Sequence, residues 1–257
     1  MTARRTQRFV FLVVGATILL ASWPWLHGQV WAEATTPAPA AHDELSWRHL
    51  STANGDLEAP SGSLQQVLTL ILDVDHDGLN DIVIGARRGS GPSLVWYRRQ
   101  ARGWERRVIE PQALKMEAGG AAYDIDGDGD LDLVAGGNNQ TNQIWWWENP
   151  YPDYSGNWTR RSIKDDGANK HHDMMFGNFD EDEAIEFVVW NQGDRRLTIT
   201  DIPADPRATQ PWRGTRVVWT APSAAYEGLA QADINGDGRL DILGGGRWFE
   251  YTGSGSP

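Results

Sequence analysis

The sequence predicts an all-β chain built from about four repeated units. Acidic nine-residue loops recur from Asp73, Asp124, Asn178 and Asp233, at intervals of 51, 54 and 55 residues. Self-similarity at a period near 50 residues marks an array of structural repeats. Each loop runs straight into a short apolar stretch, DIVIGA, DLVAGG, EFVVWN or DILGGG. Such runs, β-branched or ending in glycine, suit buried strands rather than helices.

Each period holds further strands in a fixed order. An apolar segment precedes the loop (VLTLIL, GGAAY, DMMFG, GLAQA). After the second strand comes an aromatic third (SLVWYRR, QIWWWEN, RLTITDI, GRWFEY), then a Trp-led fourth (WERRVI, WTRRSI, WRGTRVVW). Four short antiparallel strands per period is the make-up of a β-propeller blade. The fourth period stops after GRWFEY, whereas SWRHL at 46–50 reads as an orphan fourth strand. Two arrangements are open: this N-terminal strand completes the last blade and closes a ring, or the chain is a partial or truncated propeller.

The ends of the chain read differently. A basic flank (Arg4, Arg5, Arg8), an apolar run from Phe9 to about Leu26 and the small residues Ala32 and Ala34 make residues 1–34 a secretory signal cleaved after Ala34. The alternative is an uncleaved membrane anchor, which Pro24 argues against. Residues 35–45 form a Pro/Ala-rich linker, and 46–257 form the repeat domain. The expected location is secreted, periplasmic or at the cell surface. The absence of cysteine excludes disulfides and lipid-modified cysteine.

The loops carry the chemistry. Side-chain oxygens at positions 1, 3 and 5, a carbonyl at position 7 and a carboxylate at position 9 make a hard-cation cage suited to Ca²⁺. The candidate ligands are Asp73, Asp75, Asp77, Leu79 and Asp81 in the first loop, and Asp124, Asp126, Asp128, Asp130 and Asp132 in the second. The third offers Asn178, Asp180, Asp182 and Glu186, and the fourth offers Asp233, Asn235, Asp237, Arg239 and Asp241. Leu79 and Arg239 would ligate through their carbonyls. Gly78, Gly129 and Gly238 at position 6 permit the positive φ that folds the ligands around one point. Glu183 stands there in the third loop, which is therefore expected to hold metal weakly or not at all. Position 2 is apolar (Val74, Ile125, Phe179, Ile234) and should pin each loop to a core. An EF-hand is excluded, because position 12 holds Ile84, Ala135, Val189 or Gly244 in place of a bidentate carboxylate.

The formal charge is −12, and 17 of the 35 acidic residues lie in these loops. Bound cations would cancel much of the excess. No basic stripe stands against the acidity, so nucleic acid is not an expected partner.

The DxDxDGxxD loops between strands, with the W-[YWF]-E-N and WxRxxI phrases downstream, resemble the FG-GAP/VCBS repeat proteins over about Ser46 to Tyr251. That resemblance implies calcium-binding β-propellers, a group that includes the integrin α head and many secreted bacterial proteins. It implies no single activity, since the family hosts adhesion modules, lectins and polysaccharide lyases.

Glu117, His171, His172, Asp173, Tyr226 and Glu227 fall at the start of the innermost strand of their units. On a propeller they would gather at one mouth of the axial channel, where ligands commonly bind. They suit ligand binding or acid–base chemistry; equally, they suit a channel that is merely hydrated. The expected function is a binding or adhesion module for a glycan or an extracellular protein. The alternative is an extracytoplasmic lyase or hydrolase acting on polysaccharide at the axial mouth. Trp145, Trp146, Trp147 and Trp190 are expected mainly as core fillers, and the glycine runs as sites of close strand packing and turns.

Overall fold

A computed structural model describes residues 46–180, 182–223 and 226–253. The expected export segment 1–34 and linker 35–45 lie outside the described residues. Among the described residues there are fifteen strands and no helix, hence none long and apolar enough to cross a membrane.

The strands form four antiparallel sheets, each a meander in chain order. The first holds β1 (Ser63–Leu72), β2 (Asp81–Gly89), β3 (Leu94–Arg99) and β4 (Trp104–Glu110). The second holds β5 (Met116–Tyr123), β6 (Asp132–Gly137), β7 (Ile144–Glu148) and β8 (Thr159–Lys164). The third holds β9 (His171–Gly177), β10 (Glu186–Asn191), β11 (Arg196–Asp201) and β12 (Arg216–Thr220). The fourth has three strands, β13 (Leu229–Ala232), β14 (Asp241–Gly244) and β15 (Arg247–Phe249). Every acidic loop joins the first and second strands of its sheet, as the sequence predicts. The registers Leu72↔Asp81, Tyr123↔Asp132, Gly177↔Glu186 and Ala232↔Asp241 put the position 9 carboxylate at the start of each second strand.

Period-2 alternation explains how the sheets stack. In β7, Trp145 and Trp147 enter a core with Leu68, Val83 and Trp96 of the first sheet. Their neighbours Ile144 and Trp146 face the other way, into a core with Met174, Phe176 and Phe187 of the third sheet. In β10, Phe187 and Val189 share that second core, while Val188 and Trp190 enter a third core with Ile242 of the fourth sheet. The inner sheets are thus covered on both faces, and every residue of β6 and β10 is buried. Trp145, Trp146, Trp147 and Trp190 serve as core fillers.

The first strands of successive sheets also meet, β5 packing against both β1 and β9, and β13 against β9. Glycine allows that approach. A Cβ on Gly120 would lie 2.1 Å from the Leu68 side chain, and one on Gly136 would lie 2.6 Å from Cβ of His171.

The closing strand that one of the two arrangements requires does not form. Residues 46–50 are exposed and outside any strand, Trp47 is 91% exposed, and the fourth sheet keeps three strands. The chain that follows is tied to the first sheet instead. Arg106 pairs with Glu58 at 2.7 Å, and Tyr97 donates its hydroxyl hydrogen to the Glu58 carbonyl at 2.8 Å. Polar anchors on β3 and β4 therefore decide where this segment lies, a signal that the strand-like pattern of 46–50 does not carry.

Candidate metal loops and the mouth cluster

The acidic loops are built by repeated side-chain to backbone hydrogen bonds. Position 1 templates the turn: Asp73 accepts from the Asp77 and Gly78 amides at 3.1 and 2.8 Å. Asp124 likewise accepts from Gly127 and Gly129, and Asp233 from Gly236, Asp237 and Gly238. Position 5 accepts the amide two residues on, as in Asp77 to Leu79 at 2.9 Å and Asp182 to Ala184 at 2.7 Å. Gly78, Gly129 and Gly238 have φ of 84°, 98° and 89°, so the expected left-handed turn is present in those three loops. Glu183 does not adopt it. Asn178, in the place of an aspartate, donates its amide to the Asp182 carbonyl at 2.6 Å.

Position 9 has a structural task that sequence reasoning did not anticipate. Asp81, Asp132, Glu186 and Asp241 are buried. Each accepts the amide of its own position 2 residue, Val74, Ile125, Phe179 and Ile234, at 3.3, 3.0, 2.7 and 2.9 Å. Asp81 and Asp132 also accept the Arg99 and Asn149 amides, at 2.7 and 2.8 Å, from the hairpin after the third strand. Asn149 is the last residue of the WWWEN phrase, which accounts for that phrase physically. Position 2 is buried in Val74, Ile125 and Phe179, whereas Ile234 is 43% exposed.

Carboxylate oxygens converge within 4.8 Å of one another in three places: Asp73, Asp75 and Asp81; Asp124, Asp126 and Asp128; and Asp180, Asp182 and Glu186. The third loop thus gathers its acids despite its irregular turn. Three of these oxygens are buried without a hydrogen-bond or ion-pair partner, namely Asp75 Oδ1, Asp126 Oδ1 and Glu186 Oε1, and so is the neighbouring Asp130 Oδ1. An unsatisfied buried carboxylate oxygen is costly. A hard cation ligated by oxygen fits this donor set, which offers neither nitrogen nor sulfur.

The electrostatics agree. Burial, then the charges of Asp128 and its neighbours, raise Asp130 to about 7. Burial raises Asp132 to about 8 against the opposing hydrogen bond from Asn149. Burial, followed by Asp180 and Asp182, raises Glu186 to about 7, and burial with Asp128 raises Asp126. Such groups resist ionisation together unless positive charge is supplied.

Arginines supply part of that charge, and sequence reasoning missed them. Arg98 lies 2.5 Å from Asp75, Arg216 lies 3.1 Å from Asp180, and Arg207 lies 2.8 Å from Asp126 and 2.7 Å from Asp128. Arg207 comes from the third unit to the second loop, a pairing that no local pattern announces. In the fourth loop Arg239 pairs with Asp237 at 2.7 Å.

The expected mouth residues divide. His172, Asp173 and Glu227 come together: His172 Nδ1 is 2.9 Å from Asp173 Oδ2, and His172 Nε2 is 3.6 Å from Glu227 Oε1. Asp173 also accepts the Gly228 amide at 2.6 Å. Burial alone would raise Asp173, but the bonds from His172 and Gly228 prevail and hold it below the usual carboxylate range. Gln192 donates to Glu227 at 3.2 Å. Glu117 is buried in a pair with Arg87. Tyr226 packs against Trp190 and Trp219, with ring centroids 6.1 and 5.1 Å away. His171 is fully buried, and burial, with the nearby Lys164 charge, pushes it down to about 3 against the opposing backbone contact of Gly137. It belongs to the packing between β5, β6 and β9 rather than to an open site.

No protein-family model matches this chain, and no curated protein matches it.

Proposed function

We propose that this chain is an exported, calcium-binding repeat protein of the FG-GAP/VCBS type. Its sheets are blades of a β-propeller arc, and it serves as a binding or adhesion module for a glycan or an extracellular protein. The observation that carries the calcium assignment is the set of buried carboxylate oxygens without hydrogen-bond partners in the repeated loops. Ca²⁺ would be held by Asp73, Asp75 and Asp81, by Asp124, Asp126 and Asp128, and by Asp180, Asp182 and Glu186. There it would supply charge neutralisation and fix each loop onto its strands. The propeller reading is supported by sheets stacked in chain order with β1, β5, β9 and β13 meeting along one side. Calcium titration calorimetry on the purified chain tests the metal assignment. Saturable binding that Asp126→Ala weakens is expected, and no heat of binding would reject it.

One observation favours a second reading, an extracytoplasmic lyase or hydrolase acting on polysaccharide. His172 is oriented by Asp173 at 2.9 Å beside Glu227, an arrangement suited to a general base. Polysaccharide cleavage lost in His172→Ala would support it, and undiminished cleavage in that variant would reject it.

A further inference from the structure

We infer that a basic pocket among the first three sheets, separate from the acidic loops, binds the acidic group of a sugar acid. The pocket encloses about 620 Å³ and lies where β2 ends and β5 and β9 begin, a volume ordinary for a small-molecule site. Arg87, Arg88, Lys115 and Lys170 line it, and Glu117 is the one carboxylate among the described lining residues. Glu117 is taken by Arg87, and no ion pair among the described residues engages Arg88, Lys115 or Lys170. The chain has only three lysines and a charge of −12, yet two of those lysines converge here with two arginines. The third, Lys164, is satisfied by the carbonyls of Asn142, Asp166 and Ala168.

The pocket is held by backbone as well as charge. Lys170 has a φ of 68°, a conformation uncommon for a residue with a side chain. It is fixed there from both sides: its amide donates to the Asn138 carbonyl at 3.1 Å, and its carbonyl accepts the Gln192 amide at 2.8 Å. The Asn138 amide in turn donates to the Lys115 carbonyl at 2.7 Å. One chain of bonds thus sets the spacing of the two lysines across two sheets. Strain that the surroundings hold in place is a feature of functional sites.

The lining selects the ligand class. Three unpaired cations call for a carboxylate or sulfate. The amide side chains at 138–140 offer both donors and acceptors, which suits hydroxyl groups. No aromatic ring among the described residues lines the pocket, so recognition would rest on charge and hydrogen bonds rather than on stacking. The inference rests on the binding-module reading of this chain, not on occupancy of the metal loops.

The test is calorimetric titration of the purified chain with trigalacturonate, a sulfated galactose trisaccharide and neutral galactotriose, at low and physiological salt. An acidic probe should bind at least about tenfold more tightly than the neutral one, because charge-assisted bonds replace neutral ones. Added salt should weaken it. The two acidic probes distinguish a carboxylate from a sulfate ligand. Lys115→Gln/Lys170→Gln should lose about tenfold or more in affinity for the acidic probe. Arg88→Gln, at an exposed position, should lose affinity without affecting folding, and Arg102→Gln/Arg213→Gln should bind like the parent. Equal affinity for acidic and neutral trisaccharides would overturn this inference and leave the binding-module reading standing. Binding of none of the three, or acidic binding unchanged in both Arg88→Gln and the lysine variant, would also overturn it.

Discussion

Replacing Asp132 by alanine should be among the most damaging single changes in the chain. Asp132 is fully buried and accepts two backbone amides, Ile125 at 3.0 Å and Asn149 at 2.8 Å. The first bond closes the second loop, and the second anchors the hairpin after β7. Alanine removes both acceptors while Ile125 and Asn149 stay buried. Leaving a buried donor unsatisfied costs about 1–3 kcal/mol, so the loss should be about 2–6 kcal/mol, a large share of the roughly 5–15 kcal/mol that holds a typical domain together. Asp241→Ala should cost less, since Ile234, the amide donor to Asp241, is 43% exposed and water can replace the lost acceptor. Urea unfolding of parent, Asp132→Ala and Asp241→Ala in chelator measures both costs without a metal contribution. If Asp132→Ala falls within about 0.5 kcal/mol of the parent, the range of a bland surface change, the clasp role of position 9 is refuted.

Three further outcomes are expected. Asp126→Ala should lose more calcium stabilisation than Asp180→Ala, because the third loop lacks the left-handed turn and turns the Asn178 amide into its own backbone; equal losses by calorimetry would contradict this. His171 is held neutral, with its folded value near 3 below the ordinary 6.5, so its contribution to stability is fully present above pH 6.5 and is lost as pH falls toward 3. Between pH 6.5 and 4 the parent should lose about 3 kcal/mol that His171→Leu does not, and parallel stability–pH curves would count against it. Deleting residues 46–50 should leave solubility and melting unchanged, since those residues are exposed and make no strand; unfolding or aggregation would contradict the placement.

Local pattern made most of the fold legible. The alternation in QIWWWEN places Trp146 in one core and Trp145 and Trp147 in another, because period 2 fixes which face each side chain takes. The glycines at position 6 announced the loop turns, and the four carboxylates at position 9 were visible by spacing. What pattern could not carry was choice among partners. Position 9 reads as a ligand, yet its oxygens first satisfy backbone amides, because a buried amide must find an acceptor wherever the fold offers one. His171 and His172 are adjacent and look equivalent, but strand alternation sends one into the packing and leaves the other beside Asp173. Arg207 reaches the second loop from 79 residues away, and 46–50 has the composition of a strand yet pairs with no sheet.

The most direct test of the calcium assignment is the melting curve of the purified chain with calcium and with chelator. Ligand that binds only the folded state stabilises it by about 2.7 kcal/mol per site at a hundredfold excess over Kd. Calcium should therefore raise the melting temperature, and Asp126→Ala should reduce that rise. Superimposable curves with calcium and chelator would contradict the assignment and leave the acidic loops as turns held by their own backbone bonds and arginines.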